Sequence, residues 1–422
     1  MRTNHLPKHL NSSKAYSRRS VLTSLGALTI THSLVSLAEK RIASPKAKEQ
    51  FVYVGTYTGA VGNGGSGEGI YLYTMNVETG ELSLVKLAAR ADSPSWLAVH
   101  PSQRFLYSTN EVTDFTGSHG KGGSVSAYEI DPKSGDLRFL NKVSSEGPGP
   151  THLSVDRSGR YVLVANYDGG SVAVLPILTG GELGTATDFH QDTGSIGPRQ
   201  SANAPQPNFA ISGHNGPHAH MIQPSLDNRF VLYTDLGQDR ISISRFDTDA
   251  GKLTPSVNMT YAPLPPGDGP RHFAFHPNGH WLYSIQEEAS TVVFFHYDSE
   301  TGELASKQTI SALPKGFHGT SFASAILVSP DGRFLYAANR LHDTIAIFAI
   351  DATGHLSPVG EISTLGDYPT CLSIDPNGRF LYACDLRSDC IVCFQINSKT
   401  GMLSFSGNYT GSGSPNSVVF IS

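Results

Sequence analysis

Four side chains of this sequence are of the types that hydrolyse an ester. Arg271 begins one apolar run and Glu287 ends the next, while His218 and His220 stand at the start of an earlier run. An arginine can bind an anion or stabilise an oxyanion, and a glutamate or imidazole can take a proton from attacking water. These four residues form the predicted catalytic set. The alternative is a structural salt bridge beside two histidines that bond backbone or cap turns.

The four residues belong to a repeated pattern of short apolar strands and tight turns. A copy such as 270–286 has a strand, a Pro-Asn-Gly turn and a second strand, and two further strands follow in most copies. The copies recur about every fifty residues, a spacing typical of propeller blades with four antiparallel strands. The charged fraction is 16%, and 43 glycines and 25 prolines fit many turns. The predicted fold is therefore all-β.

The two ends of the repeat region fit together. Residues 414–421 repeat only the first strand of a unit, whereas the chain from Phe51 begins with what resembles a second strand. Because open sheet edges must be protected, the two ends are expected to combine into one blade and close the ring. The sequence thus predicts a seven-bladed β-propeller over residues 51–422, with its last blade closed by N- and C-terminal strands.

This fold would gather the chemical side chains at one mouth of a central channel. In an antiparallel blade, the start of the first strand and the end of the second lie on the same face. The rule adds candidate substrate-binding residues from several blades, namely Asn166, Tyr167, Asp235, Asn339 and Arg340. Glu111 is a weaker candidate, and Asp235 is also expected to bond backbone at a strand end. A long polar segment, 183–216, is expected to cover a face of the ring or to form a surface insertion.

The first residues differ from the rest of the chain. Arg18 and Arg19 precede an uncharged stretch, which predicts a twin-arginine signal peptide over 1–38, then a connector over 39–50. The stretch is too short and polar for a membrane span, so the mature protein is expected to be periplasmic or secreted. A net charge of −5 argues against nucleic acid as a partner. The alternative for this segment is a disordered basic tail.

The four cysteines all fall in the last full repeat. Cys390 and Cys393 are three positions apart in a strand-like run, and this odd spacing directs them to opposite faces. A shared metal is therefore disfavoured. Buried strand cysteines are the favoured interpretation, ahead of a disulfide.

From Phe51 onward the chain resembles the seven-bladed propeller lactonases, the 6-phosphogluconolactonase family that includes carboxy-muconate lactonising enzymes. The segments that carry the resemblance are 149–156, 165–167, 216–220, 235–240 and 269–272 followed by Glu287. The resemblance implies hydrolysis of a small lactone without metal or organic cofactor, with Arg271, Glu287 and the His218/His220 pair as catalytic residues. It also implies that His152 and Arg199 bind substrate.

Two positions depart from the family pattern. Ala325 stands where an acidic residue is common, and Thr370 stands where an arginine is common. A substrate less anionic than a phosphorylated lactone is one consequence. Two other functions stay open: a non-catalytic secreted propeller that binds a ligand or envelope partner, and a muconate cycloisomerase, which the missing arginine disfavours.

Overall fold

The computed structural model describes residues 49–59, 64–208 and 213–421. The predicted signal peptide and nearly all of the predicted connector lie outside these residues. The described chain is built of β-strands, with one short 3-10 turn at Leu386–Ser388. No helix in the described ranges is long and apolar enough to cross a membrane. The prediction of an all-β fold is confirmed.

Seven antiparallel sheets, six of four strands and one of five, follow one another along the described chain, and we number these blades from the one that contains the first described strand. Blade 1 consists of Pro415–Phe420, Glu49–Thr56, Gly69–Asn76 and Leu82–Arg90. Blade 2 consists of Leu97–Val99, Phe105–Gly117, Gly120–Ile130 and Leu137–Ser144. Blade 3 consists of Pro150–Val155, Tyr161–Asn166, Ser171–Pro176 and Asp188–Gln191. A two-stranded ribbon is formed by Thr58–Gly59 and Gly65–Ser66.

The second half of the ring repeats this order. Blade 4 consists of Ala219–Pro224, Phe230–Asp235, Arg240–Asp247 and Lys252–Pro255, and Tyr261–Pro263 pairs with its third strand. Blade 5 consists of Pro270–Phe275, Trp281–Gln286, Thr291–Tyr297 and Leu304–Ser311. Blade 6 consists of Phe322–Val328, Phe334–Arg340, Thr344–Ile350 and Leu356–Ser363. Blade 7 consists of Pro369–Ile374, Phe380–Asp385, Cys390–Ile396 and Leu403–Gly411.

The two ends of the described chain close the ring as predicted. The last strand, Pro415–Phe420, pairs antiparallel with the first, Glu49–Thr56, in the register Val52 to Phe420. That first strand begins two residues before the predicted boundary at Phe51. Blade 1 therefore takes its innermost strand from one terminus and its other three from the other.

Neighbouring blades are joined by a repeated hydrogen bond as well as by apolar packing. A buried tyrosine in the second strand of a blade donates its hydroxyl to a glycine carbonyl in the outer turn of the next blade. Examples are Tyr107 to Gly181 at 3.0 Å and Tyr283 to Gly354 at 2.8 Å. Both glycines have positive φ, which a glycine adopts without steric cost. The tyrosine hydroxyls are thereby satisfied inside the apolar core between blades.

The cysteines are buried in the strands of blade 7 and are free thiols. Cys390 packs in the core between blades 6 and 7, whereas Cys393 packs in the core between blades 7 and 1. The predicted opposite orientation of the pair is confirmed. The odd spacing along a strand accounts for it, since successive side chains alternate between faces.

The long polar segment 183–216 was predicted as a single connection, and this is only partly right. It contains the strand Asp188–Gln191, which pairs with Ser171–Pro176 as the outermost strand of blade 3. The strand is short and polar, so its sequence does not show the alternation by which strands are identified. The connection that leads into blade 4 begins after this strand.

Candidate active site

A β-bulge lies near the start of the innermost strand in six of the described blades. In blade 5 the register shifts between Pro270 and His272, which leaves Arg271 as the extra residue. Thr151, His220 and Thr370 are the extra residues at the same point of blades 3, 4 and 7. A bulge re-aims side chains because it interrupts the alternation of the strand. Consecutive side chains such as Arg271 and His272 can therefore both lie at the channel.

Backbone hydrogen bonds identify equivalent positions around the ring. In blade 2, Glu111 donates its backbone N–H to the carbonyl of Ser93. In blade 5, Glu287 donates its backbone N–H to the carbonyl of Gly269. The same bond is made by Tyr57, Tyr167, Leu236 and Leu386. Glu111 and Glu287 are thus the same structural position in two blades, and they lie on the predicted mouth.

One wall of the mouth is an ion-pair cluster that joins blades 5 and 6. Glu287 Oε2 lies 3.1 Å from Arg271 Nε and 2.5 Å from Arg340 Nη2. Arg271 Nη1 donates to the carbonyl of Ser324 at 2.7 Å. Arg271, Glu287 and Arg340 are each only 7% exposed, so little water screens the cluster. The structure therefore places two predicted catalytic residues and one predicted substrate-binding residue in direct contact.

The two guanidinium groups differ in their electrostatic setting. Burial, with repulsion from Arg340, lowers the pKa of Arg271 to about 10, although Glu287 opposes the shift. Burial also acts to lower the pKa of Arg340, but attraction to Glu287 outweighs it and the pKa is raised. Both side chains remain cations at neutral pH. The wall therefore carries two positive charges against one carboxylate.

The predicted pair of histidines is divided by the structure. His218 is braced on both sides, because Nδ1 lies 2.8 Å from the carbonyl of Tyr167 and Nε2 lies 2.8 Å from Asn215 Oδ1. His220 contacts the ring of Tyr167, at 5.3 Å between centroids, and its buried Nδ1 has no hydrogen-bond partner. Burial and the two nearby arginines hold the pKa of His220 well below its usual range. His220 is thus the unprotonated imidazole with spare hydrogen-bonding capacity.

Aromatic rings close the channel beneath the mouth. Trp96 of blade 2 contacts His152 at 4.5 Å and His272 of blade 5 at 5.4 Å between ring centroids. Burial, with repulsion from Arg271, lowers the pKa of His152 to about 3 and that of His272 well below the usual range. These neutral rings form a floor. A cavity of about 390 Å³ is lined by Trp96, His272 and residues further along the inner strands, and not by Arg271, Glu287 or Arg340.

The opposite wall comes from blades 1 and 2. Glu111 Oε2 accepts hydrogen bonds from the hydroxyl groups of Ser95, at 2.6 Å, and Tyr57, at 2.9 Å. Ser95 and Trp96 immediately precede the short inner strand of blade 2, so wall and floor are continuous here. From the sequence, Glu111 is only a weak candidate, and Ser95, Tyr57 and Trp96 are not among the predicted site residues. The repeat could have identified them, because Ser95 corresponds in position to Arg271, Tyr57 to Glu287 and Trp96 to His272.

Three predicted substrate-binding residues are tied into the scaffold instead. Asn166 Nδ2 donates to the carbonyl of Ser145 at 2.9 Å, and Asn339 Nδ2 donates to that of Ala312 at 2.8 Å. Asp235 Oδ1 accepts from the backbone of His218 and Gln238, as expected for a strand end. All three predicted residues are 0% exposed. A substrate at the mouth cannot touch them without rearrangement.

The remaining predicted residues are divided between the mouth and the surface. Tyr167 stacks on His218 at 4.4 Å, and burial, together with Glu287, raises its pKa. His152 lies in the floor. Arg199 is exposed on the long connection, and no hydrogen bond or ion pair among the described residues joins it to the cluster of Arg271, Glu287 and Arg340.

Asp385 stands in the second strand of blade 7 at the position that Asn166 has in blade 3 and Asn339 has in blade 6. This carboxyl is 0% exposed, and neither oxygen has a hydrogen-bond partner. Burial, with repulsion from Asp343 and Asp367, raises its pKa to about 7. An unfolded aspartate ionises at about pH 4, whereas Asp385 in the folded protein keeps its proton up to about pH 7. Between these two pH values the folded state binds more protons than the unfolded state, so the free energy of unfolding falls as pH rises.

Asp385→Asn is therefore expected to stabilise the protein at pH 8 by about 1–3 kcal/mol, since an amide can donate to a backbone carbonyl as Asn166 and Asn339 do. The gain should shrink towards pH 5, where the aspartate is already protonated. Urea unfolding of both proteins at the two pH values measures it. Asp114→Asn, at an exposed site, is the control. An equal gain at both pH values would contradict this explanation.

A buried charged triad that the sequence argument missed fastens the long connection beside the mouth. His214 Nε2 lies 3.1 Å from Asp239 Oδ1, and Nδ1 lies 3.3 Å from Glu288 Oε1. Ser201 Oγ and Asn203 Nδ2 add hydrogen bonds to Asp268. Burial opposes protonation of His214, but the two carboxylates outweigh it and raise its pKa to about 9. Burial foremost raises the pKa of Glu288 to about 7. The connection is thus held by an imidazole between two buried carboxyl groups.

The chain is similar to known proteins over most of its length. The family model described as lactonase, 7-bladed beta-propeller, matches residues 51–420. A 6-phosphogluconolactonase of Bacillus subtilis is 38% identical over 318 residues, which cover 75% of this chain and 82% of that protein.

Two solved structures are similar in fold and sequence. A putative 6-phosphogluconolactonase of Bacteroides fragilis is 31% identical with a TM-score of 0.78, covering 90% of this chain and 99% of the other. The periplasmic gluconolactonase of Pseudomonas aeruginosa is 31% identical with a TM-score of 0.77, covering 89% and 99%. The chain belongs to the lactonase family of seven-bladed β-propellers.

Proposed function

We propose that the protein hydrolyses a sugar-type lactone at the mouth lined by Arg271, Glu287 and Arg340. The observation that carries the proposal is the nearly dehydrated contact of one carboxylate with two arginines above a closed aromatic floor. Family membership and relatives named for lactone substrates support the reaction class.

In this proposal Arg271 stabilises the oxyanion. Its Nε faces Glu287 and its Nη1 is bonded to Ser324 O, while Nη2 takes no part in either contact. An N–H of that nitrogen can donate to the lactone carbonyl oxygen, where negative charge develops as water adds. A fixed cation in a site of low water content stabilises this charge without reorganisation. The chemical role of Arg271 is therefore electrostatic.

Glu287 accepts the proton of the attacking water. Both ion pairs use Oε2, so Oε1 is the oxygen assigned to the water. Arg340 holds the carboxylate from the neighbouring blade and is in turn fixed by the carbonyl of Ala323 at 3.2 Å. His220 is assigned to orient the water or a substrate hydroxyl, because its imidazole remains neutral. His218 serves as a positioning residue for Tyr167.

The two departures from the family pattern do not leave the mouth without positive charge. Ala325 and Thr370 are buried, and Thr370 Oγ1 has no hydrogen-bond partner. Arg271 and Arg340 against Glu287 leave one net positive charge at the cluster. A neutral sugar lactone and a phosphorylated one both remain candidates, and their rates of turnover by the purified protein separate them.

The test is turnover by the purified protein of δ-gluconolactone, 6-phosphogluconolactone and a muconolactone, followed by acid release in weakly buffered solution. Hydrolysis of a sugar lactone well above the spontaneous rate is expected. A protein inert on every lactone would contradict the proposal and favour a binding propeller. Interconversion of muconate and its lactone as the only activity would favour a cycloisomerase.

The proposed location is the periplasm or the exterior, reached by twin-arginine export. It is supported by Arg18 and Arg19 ahead of an uncharged stretch, and by the periplasmic location named for the similar Pseudomonas aeruginosa protein. Fractionation of cells that express the full chain tests it, and accumulation in the cytoplasm would contradict it.

A further inference from the structure

Glu111 faces the proposed catalytic cluster from the other side of the mouth. It occupies the position in blade 2 that Glu287 occupies in blade 5, as the shared backbone hydrogen bond shows. Trp96 and His272, from the same two blades, are in ring contact in the floor between them. The two carboxyl groups therefore stand on opposite walls above a narrow aromatic floor.

The chemistry proposed above leaves one requirement unmet. When the tetrahedral intermediate collapses, the ring oxygen of the lactone leaves as an alkoxide, which is a poor leaving group unless it is protonated. Glu287 has just accepted a proton, but it lies on the wall where water attacks. A second acid on the far wall would be placed to protonate the departing oxygen.

We propose that Glu111 is this general acid, a proposal that rests on the proposed lactonase function. Water adds to the carbonyl carbon, and one of its protons passes to Glu287. The bond from that carbon to the ring oxygen then breaks, and the ring oxygen takes the proton of the Glu111 carboxyl group. The product is a hydroxy acid. Solvent returns the proton from Glu287 to Glu111, and the electrons balance without any further reactant.

The surroundings of Glu111 suit a protonated carboxyl group. It is half-buried, and its Oε2 accepts from Ser95 and Tyr57, which leaves Oε1 to carry the proton. The charged group that acts most strongly on it is another carboxyl group, that of Asp168. Burial outweighs the opposing hydrogen bonds from Ser95 and Tyr57 and, with some repulsion from Asp168, raises the pKa of Glu111 to about 7.

The contrast between the two glutamates follows a general rule. Paired carboxyl groups divide into acid and base when their environments favour opposite protonation states. Glu287 contacts two arginines, whereas the hydrogen-bond partners of the Glu111 carboxyl group are hydroxyl groups. An anionic Glu287 and a protonated Glu111 are the two forms that the reaction needs at its start.

The decisive variant is Glu111→Gln, whose amide oxygen can still accept from Ser95 and Tyr57. Its kcat/KM on δ-gluconolactone is expected to fall by about 10²–10⁴-fold. On dihydrocoumarin, whose phenolate leaves without help, the loss should be only a few-fold. The wild-type rate should decline as pH rises through about 7, the value to which burial raises the pKa of Glu111, and the variant should lack this decline. The surface variant Glu303→Gln is the control.

Equal losses on both lactones, or an unchanged alkaline limb in Glu111→Gln, would overturn the assignment while leaving lactonase function intact. If dihydrocoumarin is not a substrate of the wild type, the pH profile alone is the test. Loss of the alkaline decline in Glu111→Gln would support the assignment, and an unchanged decline would overturn it. A wild-type protein inert on every lactone would overturn the proposed function and this role with it.

Discussion

Glu287→Gln is expected to lower kcat on a sugar lactone by about 10²–10⁴-fold, because the amide cannot accept a proton from water. Steady-state rates on the best lactone of the panel measure the loss. KM should change less than kcat, since the carboxylate acts on water rather than on the substrate. The control is Glu303→Gln in the same blade, whose carboxylate lies on an exposed turn.

The same substitution removes the counter-charge of two buried arginines. Breaking a buried ion pair by removing one partner typically costs about 3–5 kcal/mol. Urea unfolding of the variant must therefore accompany the kinetics, and rates are compared only where the variant is fully folded. A folded variant that retains full turnover would show that Glu287 holds the wall together without taking part in the chemistry.

His214→Ala is expected to cause the second large effect, a loss of about 3–5 kcal/mol in the free energy of unfolding at pH 7. The histidine ring is 0% exposed, and its removal leaves Asp239 and Glu288 buried without their cation. Thermal and urea unfolding measure the loss. His280→Ala, at an exposed turn, should be nearly neutral.

The pH dependence provides an independent check of the triad. The folded-state pKa of His214 is raised to about 9, above the ordinary value of 6.5. Its contribution to stability is therefore fully present below about pH 6.5 and is lost as pH rises through about 9. The difference between wild type and His214→Ala should shrink accordingly towards pH 10. A difference that stays constant over this range would mean that packing, not charge, holds the connection.

The fold could be predicted because the same strand and turn pattern recurs in each blade. Each strand pair carries alternating apolar residues and a Gly-containing turn, and the incomplete units at the two ends showed how the ring closes. The strand Asp188–Gln191 was not predicted because it is short and polar, and it is identified mainly by its pairing with the strand Ser171–Pro176. Local pattern is weak evidence where tertiary pairing decides.

The site was only partly predictable for a different reason. The rule that strand starts and strand ends meet at one mouth selected Arg271, Glu287 and Arg340, which are in contact. It could not separate Tyr167 from its neighbour Asn166, whose side chain points into the scaffold. The bulge decides which side chains reach the channel, and a bulge leaves no mark in a sequence without structural comparison.

The same bulge separates two roles that one strand residue usually combines, namely pairing with the neighbouring strand and presenting a side chain to the channel. The extra residue stands outside the pairing register, so exchanging Arg271, His220 or Thr370 for another side chain leaves the ladder on either side of it unchanged. Seven blades offer such a position or its counterpart around one opening. A propeller of this kind can acquire a new substrate by replacing single residues at the rim, while its sheets keep the sequence that folds them.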